Sequence, residues 1–307
     1  MVGLKLKPRE GTMRHIKRSP GEVTFDVFNY FILSLVTVLA LYPLLFVLFS
    51  SLSDSTALMR HSGILWRPAG FSLDAYVRVL QNPNIRSGYR NTMFLMVTSI
   101  IWSVFMTSLG AYFLSRKNVM WKNHLMFFFV FTMFFSGGMI PFFLAVRTFG
   151  LQDSLWSLVF PFSVSTFNMI IMRTGFMTIP DSLEESAMLD GAGHLRILFQ
   201  IVYPLSKAII AVMVLFYGVS TWNGWFWASI FLRSRELMPL QVVLREILLT
   251  ADLAAGAGAG VGAGDAEAVG RTIRFATIVV ATVPILCVYP FLQKHFVKGV
   301  LIGAVKG

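Results

Sequence analysis

Six stretches of this 307-residue chain contain no Asp, Glu, Lys, Arg or His: Val27 to Ser53, Asn91 to Ser115, Leu125 to Val146, Ser154 to Met172, Ala208 to Leu232 and Phe275 to Gln293. Each is 19 to 27 residues long, and a helix needs roughly 20 apolar residues to cross a hydrocarbon layer about 30 Å thick. Inside lipid every backbone N–H and C=O has to bond within the chain, so these runs read as helices rather than sheet. The expected fold class is all-α, a polytopic membrane protein with six transmembrane helices, kinked at Pro43, Pro141, Pro161 and Pro284. Only 13% of residues are charged, against about a quarter in a soluble domain, which excludes a cytosolic enzyme. The single cysteine, Cys287, excludes a disulfide framework and a multi-thiolate metal site.

The net charge of +11 comes from basic residues that flank the apolar runs rather than forming one patch, so membrane phosphate is the expected counterion and nucleic acid is not an expected partner. Residues 1–26 carry six of them ahead of an apolar run too long for a signal-peptide core. They read as a cytoplasmic N-terminal segment ahead of an uncleaved anchor. Residues 27–293 then form the transmembrane domain and 294–307 a cytoplasmic tail. With both termini in the cytoplasm, Lys and Arg divide 15 inside to 11 outside, the direction the positive-inside rule requires. Two outside segments are long. Asp54 to Arg90 reads as a folded loop with an amphipathic piece around Leu73 to Leu80. Arg233 to Arg274 centres on the Gly/Ala-rich run Ala254 to Gly264, within residues 253–270, which is too poor in bulky side chains to bury a core and reads as a mobile loop.

No ionisable group lies within the spans, where proton-coupled carriers and intramembrane metalloenzymes place theirs. The five histidines form no H-E-x-x-H pair, and there is no G-x-S-x-G elbow and no G-x-x-x-x-G-K-S/T loop. No catalytic residue and no metal ligand set is expected, and energy for uphill transport would come from a partner. The segment with most information is 179–206, between the fourth and fifth spans. Asp181 with Glu184, or Ser182 with Glu185, has capping-box spacing, and Gly191 or Gly193 permits the turn that ends the helix. A second helix is expected to bury Leu195, Leu198, Phe199, Val202 and Leu205, with Pro204 opening the fifth span. Small Ser186 and Ala187, apolar Met188 and Leu189 and acidic ends suit the first helix to a groove on another protein.

Glu185-Ser186-Ala187, Gly191, Ile201 and Pro204 match E-A-A-x3-G-x9-I-x-L-P at every spacing, with Ser186 and Tyr203 as departures. The chain thereby resembles the permease subunits of ABC importers, and over nearly its whole length the sugar-importing, maltose-transporter-like type. Asn91-Thr-Met, Phe135-Ser-Gly-Gly-Met-Ile-Pro141, Phe167 to Ile171, Trp222-Asn-Gly-Trp225 and the run Phe296 to Gly307 support it. The resemblance implies an inner-membrane, multi-pass permease that pairs with a second, homologous permease subunit, two cytoplasmic ATPase subunits and an extracytoplasmic solute-binding protein. It also implies no cofactor on this chain, with ATP and Mg held by the ATPases. Glu184, Glu185, Ser186, Ala187, Asp190, Gly191, Ala192 and Pro204 would then belong to the ATPase-coupling loop. The alternative is a secondary transporter or channel subunit that works without ATPases.

A sugar needs amides and hydroxyls for its hydroxyl groups and aromatic planes for its apolar faces. Tyr217, Thr221, Trp222, Asn223 and Trp225 supply that mixture in the fifth span, and an interfacial aromatic belt is the other reading of the tryptophans. Ser136 and Gly137 in the third span and Asn168 in the fourth are further small or polar positions at depth, suited to a solute path or to close helix packing. The outside arginines, Arg60, Arg67, Arg78, Arg86, Arg233, Arg235 and Arg245, suit an acidic saccharide, an acidic binding-protein surface or lipid.

Overall fold

The computed structural model describes residues 20–257 and 268–287. The basic N-terminal residues up to 19, the centre of the Gly/Ala-rich loop and the 294–307 tail lie outside the described residues. The chain divides into two compact units, Met1–Phe46 and Val47–Gly307. In order, the helices are α1 (Pro20–Ser51), α2 (Ser55–Arg60), α3 (Asp74–Gln81), α4 (Pro83–Ser115), α5 (Lys122–Phe134), α6 (Met139–Thr148), α7 (Thr166–Phe176), α8 (Asp181–Leu189), α9 (His194–Ile197), α10 (Tyr203–Leu205), α11 (Lys207–Trp222), α12 (Phe226–Phe231), α13 (Leu240–Ala257) and α14 (Ala268–Cys287). Two 3-10 turns, Leu155–Leu158 and Phe160–Phe162, precede α7, and a π-helical turn, Leu198–Val202, joins α9 to α10. No β-strand occurs among the described residues.

Three helices, α1, α4 and α14, are each long and apolar enough to cross a membrane alone. The third, fourth and fifth expected spans are bent pairs instead of straight helices. The α5–α6 axes meet at 114°, the 3-10 segment and α7 at 49°, and the α9–α10 segment and α11 at 91°. Counting each pair once gives up to six spans. The third span breaks over Phe135 to Gly138, where Gly138 takes φ +87°, a backbone open to glycine at little cost. Pro141 therefore stands in the first turn of α6, after the bend, where its missing N–H removes no helical bond.

Helix α4 is the centre of the Val47–Gly307 unit and packs against α3, α7, α11 and α13. It starts with Pro83 at its first position and with the Asn82 carboxamide oxygen accepting the Asn84 N–H at 3.0 Å. Its buried face is a ladder of small side chains four residues apart: Ser99, Ser103, Thr107, Ala111 and Ser115. Such side chains let neighbouring backbones approach, which is how helices gain dispersion energy when lipid tails are as apolar as leucine. Gly88 continues the theme, since a Cβ there would stand 3.0 Å from Leu240 Cα. Hydroxyls tie the packed faces together. Thr107 Oγ1 and Tyr217 Oη are 2.6 Å apart, the Ser165 N–H donates to that same Tyr217 oxygen at 3.0 Å, and Ser108 Oγ lies 2.8 Å from Tyr203 Oη. One apolar core joins α4, α7, α8, α9 and α11 through Met169, Met172, Phe176, Ala187, Ile197, Leu198, Val202 and Met213.

The outside loops carry more structure than their composition announces. Asp54 caps α2 by accepting the Thr56 and Ala57 N–H groups at 3.1 and 2.9 Å, and the Thr56 hydroxyl and these N–H groups hold its carboxyl below the usual range. Helix α3 occupies the expected amphipathic piece and buries Ala75 and Val79. Helix α13 was not foreseen, and it runs into the segment read as loop. Its Leu240, Val243 and Leu244 enter a second core with Val79, Ile85 and Trp222, and Thr92 Oγ1 accepts the Leu240 N–H at 2.9 Å. The i, i+3, i+4, i+7 spacing of Leu240, Val243, Leu244 and Ile247 was the available signal. Replacing Gly88 with valine is expected to lower stability by about 1–3 kcal/mol, because the added atoms meet backbone that cannot step aside. Thermal unfolding of the purified protein checks this, with Gly137→Val, whose Cβ would meet only Pro141 Cβ at 3.9 Å, expected to unfold like the parent.

Candidate functional site: the motif helix and its anchor

Helix α8 carries the Glu-Ser-Ala motif, and it is built from both ends. Pro180 precedes it in an extended conformation and makes no side-chain cap, so neither expected capping box forms. For Asp181 with Glu184 the reason is competition, since both acidic side chains have stronger partners, and Ser182 lies within the helix instead of at its cap. The Asp181 carboxylate pairs with Lys117 Nζ at 2.5 Å, which draws the Asp181 carboxyl down and the Lys117 ammonium up from their ordinary values. Glu184 turns inward and is taken by two groups of α4 and its end. The C-terminus of α8 is a Schellman motif. The Gly191 N–H donates to Met188 O at 3.0 Å and the Ala192 N–H to Ala187 O at 2.9 Å. Gly191 holds φ +78°, the left-handed conformation this cap requires.

The Glu184 carboxylate accepts the Tyr112 hydroxyl proton at 2.6 Å on one oxygen and pairs with the Arg116 guanidinium on the other. The side chains of Glu184 and Arg116 are each only 11% exposed, so the pair is close to fully desolvated. Arg116 also donates to Phe176 O at 3.2 Å, the last residue of α7, and its guanidinium lies 4.9 Å from the centre of the Tyr112 ring. His194 Nδ1 is 3.3 Å from the Tyr112 hydroxyl. Arg173 donates to Leu114 O at 2.9 Å. Tyr112 and Arg116, at the end of α4, thus hold the Glu184 carboxylate of α8 and also reach Phe176 of α7 and His194 of α9 through short polar contacts. A cleft of about 590 Å³ lies beside this cluster, lined by Arg116, Lys117, Asp181, Glu185, Met188 and His194 among others.

The expected coupling residues divide by this geometry. Glu185, Ser186, Asp190 and Gly191 are exposed, together with Leu189, which is 89% exposed. Ala187, read as part of the outward docking face, is instead buried at 9% against the core of its own chain, because it lies one turn from Glu184 on the inward face. Ala192 is half-buried and Pro204 exposed. Pro204 lies in the first arm of the bent fifth span, just ahead of the 91° bend at Ser206, and the long arm α11 begins at Lys207. The expected apolar face of the second helix is buried only in part. Ile197, Leu198 and Val202 are buried, while Leu195, Phe199 and Leu205 are exposed, because the π turn shifts the register that regular helical spacing assumes. Tyr112, Arg116, Lys117 and His194 were not foreseen. Arg116 and Lys117, the first charges after the second span, were their only signal.

The candidate solute-path residues also divide. Tyr217 is buried with its hydroxyl engaged by Thr107 and Ser165, and Trp222 is buried with its indole N–H donating to Ala281 O at 3.2 Å. Both spend their polar groups on helix packing. Thr221, Asn223 and Trp225 line a cleft of about 210 Å³ with Ser220 and Trp227, formed where the fifth span breaks between α11 and α12. Asn168 is buried in the first turn of α7, and Ser136 and Gly137 are exposed in the bend between α5 and α6, outside that cleft. Replacing Glu184 with alanine is expected to cost about 3 kcal/mol or more, since it strands the Arg116 charge away from water. Glu185→Ala and Lys117→Ala remove exposed groups and are expected to stay within about 0.5–1 kcal/mol of the parent. Denaturation midpoints of the three purified variants give the comparison.

No protein-family model matches the chain. It is 42% identical to the polygalacturonan/rhamnogalacturonan transport system permease protein YtcP of Bacillus subtilis strain 168, over 92% of this chain and 98% of that protein. It is 39% identical to protein LplC of the same organism, over 92% of this chain and 95% of that one. Among solved structures, it superposes with TM-score 0.82 and 34% identity on a chain of a bacterial ABC transporter involved in the import of the acidic polysaccharide alginate, covering 91% of this chain and 99% of that chain. With the apolar helices and the motif helix described above, these similarities place the chain, a transport subunit and not an enzyme, in the family of sugar-importing ABC transporter permeases.

Proposed function

We propose that this chain forms half of the translocation path of an ATP-driven importer for an acidic oligosaccharide and is driven through α8. The observation that carries the drive is the two-sidedness of that helix: Glu184 and Ala187 lock one side to the chain's own core, while Glu185, Ser186, Leu189 and Gly191 stand free on the other. The free side suits the cleft of a cytoplasmic ATPase, which puts the motif end of the bundle and both termini in the cytoplasm. ATP and Mg reside in two ATPase subunits. Their closure moves α8 as a rigid body, and the Glu184 cluster passes the displacement to α4 and α7.

A second permease subunit completes the path. The break at Phe135 to Gly138 exposes non-helical backbone in the middle of an apolar run, and such backbone persists at membrane depth only against protein or a water-filled cavity. A homologous partner chain supplies both, and an extracytoplasmic binding protein delivers solute to the opposite end. The acidic substrate class draws its support from the names of two similar proteins, a polygalacturonan/rhamnogalacturonan permease and an alginate importer. Carboxylates on the sugar also give the arginines at the other end of the bundle a physical role.

Gly191→Val tests the drive. A Cβ there meets nothing within 4 Å, so the chain tolerates the volume, but φ +78° is strained for a β-branched residue by about 1–2 kcal/mol. Proteoliposomes holding the complex with this variant are expected to hydrolyse ATP while accumulating solute at a tenth of the parent rate or less. Parent-level accumulation, with the variant inserted in equal amount, rules out α8 as the drive element.

A further inference from the structure

The break in the fifth span brings a cation to the rim of the cleft between α11 and α12, whose mostly apolar lining includes Ser220, Thr221 and Asn223. The Arg245 guanidinium carbon on α13 lies 3.4 Å from the centre of the Trp225 ring, and Trp225 lines the cleft with Ser220, Thr221 and Asn223. Its neighbours are already spoken for. Arg235 pairs with Glu246 at 2.9 Å. The Asp153 carboxylate accepts the Arg233 and Ser234 N–H groups, each at 2.8 Å, and the Ser234 hydroxyl at 2.6 Å. Among the described residues Arg245 has no carboxylate partner, and its side chain is exposed. A guanidinium lying on an indole face is held in place by the ring quadrupole while its edge, the N–H fork that matches a carboxylate, stays free. The Ser220 and Thr221 hydroxyls, and the Asn223 carboxamide beyond the N–H it gives to Val219 O at 3.0 Å, supply donors and acceptors for the sugar hydroxyls beside them.

We propose that Arg245, seated on Trp225, is a specificity-determining residue that pairs with a carboxylate of the transported uronate oligosaccharide as it passes the cleft. This rests on the acidic-saccharide reading above. The other acidic groups suited to this cation are a side chain of the binding protein and a lipid phosphate. A sugar carboxylate is favoured because the cation borders a cleft able to hold a sugar unit instead of standing on an open surface.

The test uses the complete complex, with its permease partner, ATPases and binding protein, reconstituted in proteoliposomes with a labelled oligogalacturonide. Arg245→Gln is expected to lower its uptake about 10- to 100-fold, the weight of a lost charge-assisted contact. The unfolding midpoint and the affinity of the loaded binding protein for the complex are expected to hold. Arg245→Lys, which keeps the charge but loses the fork, is expected to fall between the two. Unchanged uptake in Arg245→Gln overturns the proposal. A loss matched by weaker binding-protein docking overturns it in favour of a protein contact, and a loss matched by a lower unfolding midpoint overturns it in favour of a packing role. A parent complex that fails to take up the oligogalacturonide, yet transports a neutral oligosaccharide, overturns the acidic-substrate reading itself.

Discussion

The Val47–Gly307 unit depends on how closely other helices can approach α4. In lipid there is no hydrophobic gain from bringing two apolar helices together, so association rests on dispersion at short range and on polar contacts. The ladder from Ser99 to Ser115 supplies both. Its side chains are small enough for α7 and α11 to pack against it, and the hydroxyls of Thr107 within it and Ser108 beside it meet Tyr217 and Tyr203. At the far end Gly88 and Thr92 do the same for α13, one by lacking a Cβ against Leu240 and the other by bonding its N–H.

That packing gives the motif helix something firm to act on. Tyr112 and Arg116 stand where the small-residue ladder ends, and they deliver a hydroxyl and a guanidinium to Glu184. A buried ion pair is a poor source of net stability, because desolvation offsets most of its attraction. It is a good source of position, since a displaced carboxylate has no other partners within the core. The same logic separates Glu184 from Glu185: neighbours in sequence, they stand about 100° apart around the helix, so one is buried and holds α8 to the bundle while the other is exposed.

Much of the architecture was legible from transfer energetics. An apolar run without ionisable groups has only one low-energy environment, and the six runs correspond to α1, α4, α14 and three bent pairs. The motif was legible because its glycine has a backbone reason, the φ +78° of the Schellman cap. The bends were not. Hydropathy reports what a segment would rather touch and carries no direction, so the 114° and 91° changes at Gly138 and Ser206 leave composition unaltered. The π turn before Pro204 likewise defeats any pattern that assumes 3.6 residues per turn: Leu198 and Val202 are buried as expected, but Ile197 joins them in place of Leu195, Phe199 and Leu205.

The candidate path shows the same division. Residue type alone nominated Tyr217 and Trp222, yet whether a polar atom is free for solute depends on which backbone comes within hydrogen-bond distance of it, as Ser165 does at 3.0 Å and Ala281 at 3.2 Å. Arg245 meets Trp225 through a pairing of residues 20 positions apart that no spacing rule reaches. The sequence by itself determined the solvent of each segment, the helical state that lipid enforces on it, and the family motif with its glycine. Only the tertiary structure decided which side of α8 is held, where the spans bend and which polar groups remain unspent, because each of those is settled by a distant neighbour competing for the same hydrogen bond or the same space.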